Sequence, residues 1–163
     1  MFPPDLHDLA QKIISSYTAE KKKIVTAESC TGGLVTGALT EISGSSAVLE
    51  RGFVGYSNDA KTEVLGVMPE LLEQYGAVSA EVAEAMATGA LEFSLADVAL
   101  SVTGIAGPSG GTLAKPVGLV FFGIATRTGA IFHTQSHFKG DRSDIRIQAV
   151  REALTLLSAQ AGD

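Results

Sequence analysis

The side chains in this sequence best suited to chemistry are small hydroxyl groups and one lysine, set among glycines between residues 27 and 61. They fall in three short segments, which are AESCTGG at 27–33, GSS at 44–46 and YSNDAK at 56–61. A second glycine-rich segment, TGIAGPSGG, occupies residues 103–111. A hydroxyl becomes a nucleophile when an adjacent base removes its proton. The pattern therefore predicts a hydroxyl nucleophile activated by lysine, in place of a metal centre or a histidine triad.

Lys61 is the candidate base, because it closely follows Tyr56 near the end of an expected strand. A lysine accepts a proton only in its neutral form, so its pKa must fall from about 10.4 towards 7. A decrease of ~3 units corresponds to roughly 4 kcal/mol of lost charge stabilisation. Burial or a neighbouring cation must supply that change. A catalytic role for Lys61 thus requires burial or a neighbouring cation. The alternative interpretation is that Lys61 is an ordinary exposed lysine on a helix.

Three residues are candidate nucleophiles, namely Ser29, Cys30 and Ser46. Ser46 follows Gly44 and Ser45 at an expected helix N-terminus, where the helix dipole favours a negatively charged oxygen. Ser29 has a similar position at the first glycine-rich turn. Cys30 has the most nucleophilic side chain of the three, although a lone cysteine is more often a small core residue. Spacing alone leaves the choice among them open.

Two glycine-rich turns are candidates for binding a substrate. The turn at 29–33 connects a strand to a helix, so its backbone N–H groups can hold a phosphate, a carboxylate or an oxyanion. The segment at 103–111 follows an expected central strand, and open α/β sheets bind ligands beyond the carboxyl ends of such strands. Arg142 and Arg146, near the start of the last helix, can clamp a phosphate or form surface ion pairs with neighbouring aspartates.

Composition and the placement of histidines argue against several other classes of protein. The chain has 163 residues, 45% hydrophobic and 18% charged, which predicts one compact domain over residues 1–163. A net charge of −6 argues against nucleic-acid binding, which needs clustered basic residues. With a single cysteine, no membrane-span pattern and no leader pattern, the expected location is cytoplasmic. His133 and His137 share a strand face without completing a metal site, so neither a metal nor a cofactor is expected.

The hydrophobic spacing alternates between helical and extended periods along the chain. The expected elements are helix 5–19, strand 23–28, helix 34–42, a helical turn 47–50, strand 52–56, helices 59–65, 69–74 and 79–93, strands 98–102, 117–126 and 130–138, and helix 143–158. A loop is expected from residue 104. Helical crossovers favour parallel pairing, and a late hairpin adds an antiparallel pair. The predicted fold class is therefore α/β, a three-layer α/β/α sandwich with a mixed, partly parallel sheet.

Taken together, these segments resemble the CinA C-terminal domain family from about residue 6 to residue 157. The matching segments are AESCTGG (27–33), GSS (44–46), RGFV (51–54), YSN (56–58), Lys61, GAVS (76–79), TGIAGP (103–108), KPVG (115–118) and GDR (140–142). The family includes stand-alone nicotinamide mononucleotide amidohydrolases. The resemblance implies metal-independent hydrolysis of the carboxamide of nicotinamide mononucleotide, giving nicotinic acid mononucleotide and ammonia in pyridine nucleotide recycling. Many members carry an additional N-terminal domain that this sequence lacks, which favours the stand-alone enzyme.

The resemblance also implies roles for individual residues. Ser46 matches the nucleophile, Lys61 the base that activates it, and Tyr56 a hydrogen-bonding partner in proton transfer. Ser29 and the turn after it match part of the substrate and oxyanion environment. The residues that would bind substrate are Cys30, Thr31, Gly32, Gly33, Thr103, Gly104, Ala106, Gly107 and Arg142.

Two alternatives to this enzyme remain at the level of sequence. The same glycine-rich pocket would serve a non-catalytic nucleotide-binding or regulatory module, although such a module has no need for Ser46, Tyr56 and Lys61 together. A different amidase or esterase would use Ser29 or Cys30 as its nucleophile. The expected partner is nicotinamide mononucleotide as a small-molecule substrate, and apolar helix faces suit a homo-oligomer.

Overall fold

The chain folds as a five-stranded mixed sheet with helices on both faces. The computed structural model describes residues 1–162. In chain order the elements are α1 (Pro4–Glu20), β1 (Ile24–Glu28), α2 (Leu34–Thr40), β2 (Leu49–Val54), α3 (Asn58–Leu65), α4 (Pro69–Tyr75), α5 (Ala80–Glu92), β3 (Val98–Gly104), β4 (Leu119–Thr126), β5 (Ile131–His137) and α6 (Arg142–Ala159). A 3₁₀ turn, Ser45–Ala47, leads from α2 into β2. No helix among these residues is long and apolar enough to span a membrane.

The strand order β2-β1-β3-β4-β5 places the three parallel strands side by side. β1 pairs in parallel with both β2 and β3, whereas β4 pairs antiparallel with β3 and with β5. From β1 the chain forms β2 on one side and later returns to form β3 on the other side. The carboxyl ends of these strands therefore meet at one edge of the sheet. Open α/β sheets bind ligands in a crevice beyond the carboxyl end of such a strand, where the chain connections run to opposite sides.

Two hydrophobic clusters attach the helices to the sheet. On one face α1, α2 and α6 pack on β3 and β4 through buried side chains that include Tyr17, Leu39, Leu100 and Phe122. On the other face α5, with α3 and α4 against it, packs through a cluster that includes Met86. β1 is buried along its whole length because both of its faces are covered. The prediction of a three-layer α/β/α sandwich with a mixed sheet is confirmed.

The start of β2 differs from the expectation drawn from the sequence. β2 begins at Leu49, where the glycine and serine pattern predicts a helical turn over residues 47–50 and a strand from residue 52. The Ile24 N–H donates to Val48 O at 2.8 Å, and Ile24 pairs with Leu49. Pairing with the central strand β1 thus extends β2 towards its amino end. Residues 44–46 precede this end of β2.

The end of β3 lies later than expected. The strand continues through Thr103 and Gly104, although the sequence predicts a loop from residue 104. Gly104 pairs with Val120 on β4. A Cβ added to Gly104 would lie 2.7 Å from Val120 Cγ2 and 2.8 Å from Leu119 O. Glycine is therefore required here for β4 to approach so closely, and the pairing holds both residues in the sheet.

Candidate active site

A cavity of about 200 Å³ opens at the edge of the sheet where β1, β2 and β3 end. Its walls come from the turns after β1 and β2, the start of α3, the loop before α5 and the end of β3, and α6 begins at its mouth. The lining residues are Ser29, Cys30, Tyr56, Asn58, Lys61, Ala77, Val78, Thr103, Gly104, Ala106 and Arg142. Eight of the site residues predicted from the sequence lie among them.

Lys61 provides the buried amine of this cavity. The residue is 2% exposed, and its Nζ donates a hydrogen bond to the Tyr56 carbonyl at 3.2 Å. Ser57 caps α3 by accepting from the Ala60 N–H at 3.0 Å, which fixes the helical turn that carries Lys61. Burial lowers the pKa of Lys61 from its ordinary value of 10.5, and the negative charge of an ionised Cys30 would partly oppose this change. Lys61 thus meets the burial requirement for a base.

Ser29 provides a hydroxyl on the cavity wall. It directly follows β1, and its N–H donates to Val102 O on β3 at 2.9 Å, which extends the strand pairing by one residue. The Ser29 carbonyl accepts from the Gly32 N–H at 3.0 Å and closes the turn. The Ser29 hydroxyl itself makes no hydrogen bond within residues 1–162. It is therefore available to a substrate.

Cys30 is a poor nucleophile in this setting. The residue is 6% exposed, and burial raises the pKa of its thiol to about 12, with the negative charge of Glu28 adding to the increase. The thiolate is the reactive form of cysteine, and this raised pKa keeps the thiol protonated near neutral pH. The environment therefore favours a serine over Cys30 as the nucleophile.

A carboxylate of the chain itself occupies the backbone donors at the helical end of the first glycine-rich turn. Glu28 is fully buried at the end of β1. It accepts from the N–H groups of Gly33, Val35 and Thr36 and from the Thr36 hydroxyl, at 2.8–3.1 Å. These donors are consequently not open to the substrate anion that the sequence pattern suggests for this turn.

Three residues of this turn that the sequence analysis places in substrate binding do not line the cavity, namely Thr31, Gly32 and Gly33. Thr31 is fully buried, while Gly32 and Gly33 have φ angles of 58° and 99°, a left-handed conformation that shapes the turn. Within residues 1–162, no carbonyl or carboxylate accepts from the N–H groups of Cys30 and Thr31. These two amides remain as hydrogen-bond donors next to Ser29.

Arg146 holds the same turn from the side of its carbonyl groups. This residue of α6 donates from Nε to Cys30 O at 3.1 Å and from Nη2 to Thr31 O at 3.2 Å. The sequence leaves Arg146 as either a phosphate clamp or a partner in a surface ion pair, and the structure directs it to the main chain instead. Because Arg142 and Arg146 are four residues apart on a helix, their spacing was the available signal that both face one region.

Arg142 and Tyr56 meet at the mouth of the cavity. Arg142 donates from Nη1 to Gly107 O at 2.7 Å and from Nη2 to the Tyr56 hydroxyl at 3.0 Å. Asp141 and Asp144 form a capping box that fixes the start of α6, where Arg142 lies. Gly107 does not line the cavity and contributes its carbonyl to this contact. Arg142 is exposed, so its remaining N–H groups can reach a ligand anion.

The inner wall combines Thr103, which the sequence analysis places in substrate binding, with three residues that it does not, namely Asn58, Ala77 and Val78. Thr103 is buried and donates from its hydroxyl to Ala77 O at 2.8 Å, which joins the end of β3 to the loop before α5. Val78 follows on this loop, and Asn58 at the start of α3 lines the opposite side. The segments YSN and GAVS are recognisable in the sequence, but which of their side chains face the cavity depends on the fold.

Comparison with known proteins identifies the family. The profile described as "CinA C-terminal domain" matches residues 6–161.

The chain belongs to the CinA C-terminal domain family.

Relatives within the CinA C-terminal domain family cover most of the chain. Nicotinamide-nucleotide amidohydrolase PncC of Enterobacter agglomerans is 52% identical over 144 residues, which are 88% of this chain and 88% of that protein. A CinA-like protein of Mycolicibacterium gilvum is 53% identical over 136 residues, covering 83% of this chain but 32% of that longer protein. The crystal structure of competence/damage inducible protein CihA from Agrobacterium tumefaciens aligns with a TM-score of 0.96 at 51% identity, covering 98% of this chain and 97% of that one. The prediction of the family and of the amidohydrolase class is confirmed.

The resemblance to the CinA C-terminal domain family matches Ser46 with the nucleophile, but the fold separates Ser46 from the cavity. Ser46 is exposed in the 3₁₀ turn before β2, whereas Lys61 follows the opposite end of that strand. β2 has six residues, so its first and last residues are about 17 Å apart at about 3.3 Å per residue. Ser46 therefore does not lie within reach of the Lys61 amine.

Other polar groups and clefts offer less for catalysis. His133 Nδ1 lies 2.7 Å from Glu84 Oε1, and His137 follows four residues later on β5, about 13 Å along the strand. No three His, Cys, Asp or Glu side chains within residues 1–162 are placed to hold a metal ion. A larger cleft of about 550 Å³ beside α5 is lined without any lysine, histidine, serine or cysteine. This cleft therefore offers no amine, imidazole or thiol for catalysis.

Proposed function

We propose that the chain hydrolyses the carboxamide of nicotinamide mononucleotide to nicotinic acid mononucleotide and ammonia, with Ser29 as nucleophile and Lys61 as its base. The observation that carries this proposal is a serine hydroxyl and a buried lysine amine in the walls of one small cavity. A module that only binds an anionic nucleotide gains little from burying a lysine, because burial disfavours the positively charged form of the amine. The name of the PncC relative from E. agglomerans supports this choice of substrate.

In the acylation step Ser29 Oγ attacks the carboxamide carbon while its proton moves to the neutral Lys61 Nζ. The carbonyl oxygen becomes an oxyanion, for which the N–H groups of Cys30 and Thr31 are available donors beside the nucleophile. The carbon–nitrogen bond then breaks, and the proton on Lys61 passes to the leaving nitrogen, so that ammonia departs. An ester to Ser29 remains, and Lys61 is neutral again.

In the deacylation step Lys61 takes a proton from a water molecule, whose oxygen attacks the ester carbon. The bond to Ser29 Oγ breaks, Lys61 returns the proton to that oxygen, and nicotinic acid mononucleotide leaves. The lowered pKa of Lys61 favours the neutral form that both steps require. The hydrogen bond from Nζ to the Tyr56 carbonyl holds the amine in place while its lone pair faces another direction.

We assign the substrate phosphate to the mouth of the cavity, where Arg142 lies. A guanidinium has five N–H donors in a planar fork that suits phosphate. In Arg142 two of the nitrogens already donate to Gly107 O and to the Tyr56 hydroxyl. The carboxamide then extends inward past Thr103 and residues 104–106 towards Ser29. Because the Tyr56 hydroxyl accepts from Arg142, we place Tyr56 in substrate positioning, in contrast to the proton-transfer role that the resemblance implies.

Ammonia release from nicotinamide mononucleotide, with a metal chelator present, tests the proposal. We expect Ser29→Ala and Lys61→Met each to lower kcat by at least about 10³-fold, since each removes one half of a coupled pair. Lys61→Met keeps the apolar stem of the side chain, so it limits packing changes. Ser46→Ala is the matched control, because it removes a serine hydroxyl from the opposite edge of the sheet, and it retains activity.

Three outcomes would count against this reaction. If the wild type releases ammonia no faster than Lys61→Met does, the assignment as an enzyme is wrong. Nucleotide binding in calorimetry without ammonia release supports the alternative of a non-catalytic module. Loss of activity on chelation contradicts the metal-independent step.

The cytoplasmic setting, the role in pyridine nucleotide recycling and a homo-oligomeric state remain predictions. Met68, Phe93 and Ile131 are exposed around the cleft beside α5, which supports an interface between copies. Light scattering during gel filtration tests the oligomer, and a mass of 16.8 kDa at all concentrations would contradict it.

A further inference from the structure

Glu28 takes no part in the proposed reaction, yet its carboxylate is fully buried directly before Ser29. Each carboxylate oxygen accepts two hydrogen bonds. Oε2 accepts from the N–H groups of Gly33 and Val35 at 3.0 and 3.1 Å, and Oε1 accepts from the Thr36 N–H and the Thr36 hydroxyl, both at 2.8 Å. Burying a carboxylate is unfavourable unless donors compensate it, and here the donors come from one short segment.

The hydrogen bonds of Glu28 continue into the sheet. Thr36 Oγ1 lies 2.7 Å from Thr26 Oγ1 on β1, and because the Thr36 proton goes to Glu28, Thr36 accepts from Thr26. Gly52 on β2 passes close to this pair. A Cβ at Gly52 would clash with Thr36 Oγ1 and lie 2.9 Å from Thr26 Oγ1. Strands β1 and β2 and helix α2 thus meet around a single carboxylate.

We propose that Glu28 is a positioning residue that holds Ser29 in place through the turn at 29–33. This inference rests on the proposed role of Ser29 as the nucleophile. Glu28 binds the N–H groups at the helical end of the turn, while Arg146 binds the carbonyl groups of Cys30 and Thr31. Ser29 directly follows Glu28, directly precedes the two residues whose carbonyl groups Arg146 binds, and is joined to β3 through its own N–H.

A carboxylate suits this position better than any other side chain. Glutamine offers one acceptor oxygen, and its NH2 group would face two of the four donors. Aspartate is shorter by one carbon and cannot reach both Val35 and Thr36 from the end of β1. Without the carboxylate, the turn must move to bring its N–H groups to other acceptors. A displacement of about 1 Å at a catalytic group can lower the rate by up to 10²-fold.

Kinetics on nicotinamide mononucleotide provide the first test. We expect Glu28→Gln to lower kcat by about 10- to 100-fold while KM changes less than about twofold, because Arg142 and the outer wall are untouched. Thr36→Val removes one donor and keeps the shape of the side chain, so its kcat falls less. Thr36→Ser returns the hydroxyl and restores kcat. Ser101→Ala is the matched control, since Ser101 is a buried residue whose hydroxyl donates to Ala83 O and accepts from Gly123 N and makes no hydrogen bond to the turn.

The alkylation rate of Cys30 by iodoacetamide provides a second test that needs no turnover. Cys30 is the single cysteine of the chain and lies within the turn, so its labelling measures how often the turn opens. We expect Thr36→Val, which keeps the charge of Glu28, to raise the labelling rate about tenfold, and Thr36→Ser and Ser101→Ala to leave it close to the wild-type rate. Glu28→Gln should raise it further, because the negative charge that opposes the thiolate is also removed.

The two measurements separate this inference from the proposed function. Variants of Glu28 and Thr36 that match the wild type in kcat and in Cys30 labelling overturn the positioning role, even if Ser29→Ala is inactive. If Ser101→Ala lowers kcat as much as the Glu28 and Thr36 variants do, the positioning role is overturned as well, because the loss of any buried hydrogen bond would then lower kcat. If the wild type releases no ammonia, the proposed function falls, and Cys30 labelling still decides whether Glu28 holds the turn. If Glu28→Gln does not fold, the Thr36→Val and Thr36→Ser pair decides in the same way.

Discussion

Burial has opposite consequences for the two reactive side chains in the cavity. Removing water disfavours the charged form of both groups, so it lowers the pKa of Lys61 and raises the pKa of Cys30. A neutral amine is a base, whereas a neutral thiol is a weak nucleophile. The same environment therefore favours Lys61 as a base and disfavours Cys30 as a nucleophile. A serine attacks as a neutral hydroxyl that transfers its proton to the base during the attack, so it needs no preformed anion, which favours Ser29.

Substitution of Cys30 distinguishes the two candidate nucleophiles of the turn. We expect Cys30→Ala to lower kcat for ammonia release by less than about tenfold, because it trims the cavity wall without removing the attacking atom, whereas Ser29→Ala loses at least about 10³-fold. Steady-state kinetics on folded variants measure both. A Cys30→Ala variant as inactive as Ser29→Ala would return the thiol to consideration.

The pH dependence of kcat/KM follows from the pKa of Lys61. Activity requires the neutral amine, so kcat/KM should increase with pH through the pKa of Lys61 in the free enzyme. Burial places that pKa below 10.5, so the ascending limb should have its midpoint below that value. Rates measured from pH 6 to pH 10, with nicotinamide mononucleotide well below KM, give the midpoint. A rate that is flat or decreasing over this range would contradict a lysine base.

At the scale of elements, the close pairing of β3 and β4 next to the cavity depends on Gly104. We expect Gly104→Ala to lower the free energy of unfolding by about 1–3 kcal/mol, because the added Cβ meets Leu119 O and Val120 across the pair. Gly37→Ala within α2 is the matched control. Its Cβ would make an ordinary contact of 3.5 Å with Phe2, so it should stabilise the chain by about 0.5–1 kcal/mol. Urea unfolding measures both, and equal effects would refute the argument from close approach.

Element types could be predicted from the sequence, because hydrophobic periodicity directly reports helices and strands. The start of β2 could not, since it depends on pairing between Ile24 and Leu49 across the sheet. β2 lies between Ser46 and Lys61 in the chain, so Ser46 is at the end of β2 that faces away from the cavity. The hydrogen bonds of Glu28 could not be predicted from the sequence either, because their donors become neighbours of the carboxylate only after α2 has folded.

At the scale of the whole molecule, the topology explains why the cavity forms where it does. β1 lies between β2 and β3, and α2 and α5 cover opposite faces of the sheet. The turns after the three parallel strands consequently diverge above β1, and the antiparallel strand β5 brings the chain back to the same edge before α6. Ser29, Lys61 and Arg142 come from distant parts of the sequence, and this arrangement is what brings them to one edge.

Burying Lys61 also links the stability of the molecule to pH. The unfolded chain holds a proton on Lys61 up to a pH near 10.5, whereas the folded chain releases it at a lower pH. Between these two values the unfolded state binds more protons, so the contribution of Lys61 to the free energy of unfolding increases with pH, and it is lost as pH falls through the folded pKa. Lys61→Met has no such proton. Because other groups titrate in both proteins, the quantity to measure is the difference in unfolding free energy between Lys61→Met and wild type from pH 7 to pH 10. We expect the variant to be more stable at pH 7 and its advantage to shrink as pH rises. A difference that does not change with pH would mean that the folded protein leaves the protonation of Lys61 unaltered, and the case for this lysine as the base would fail with it.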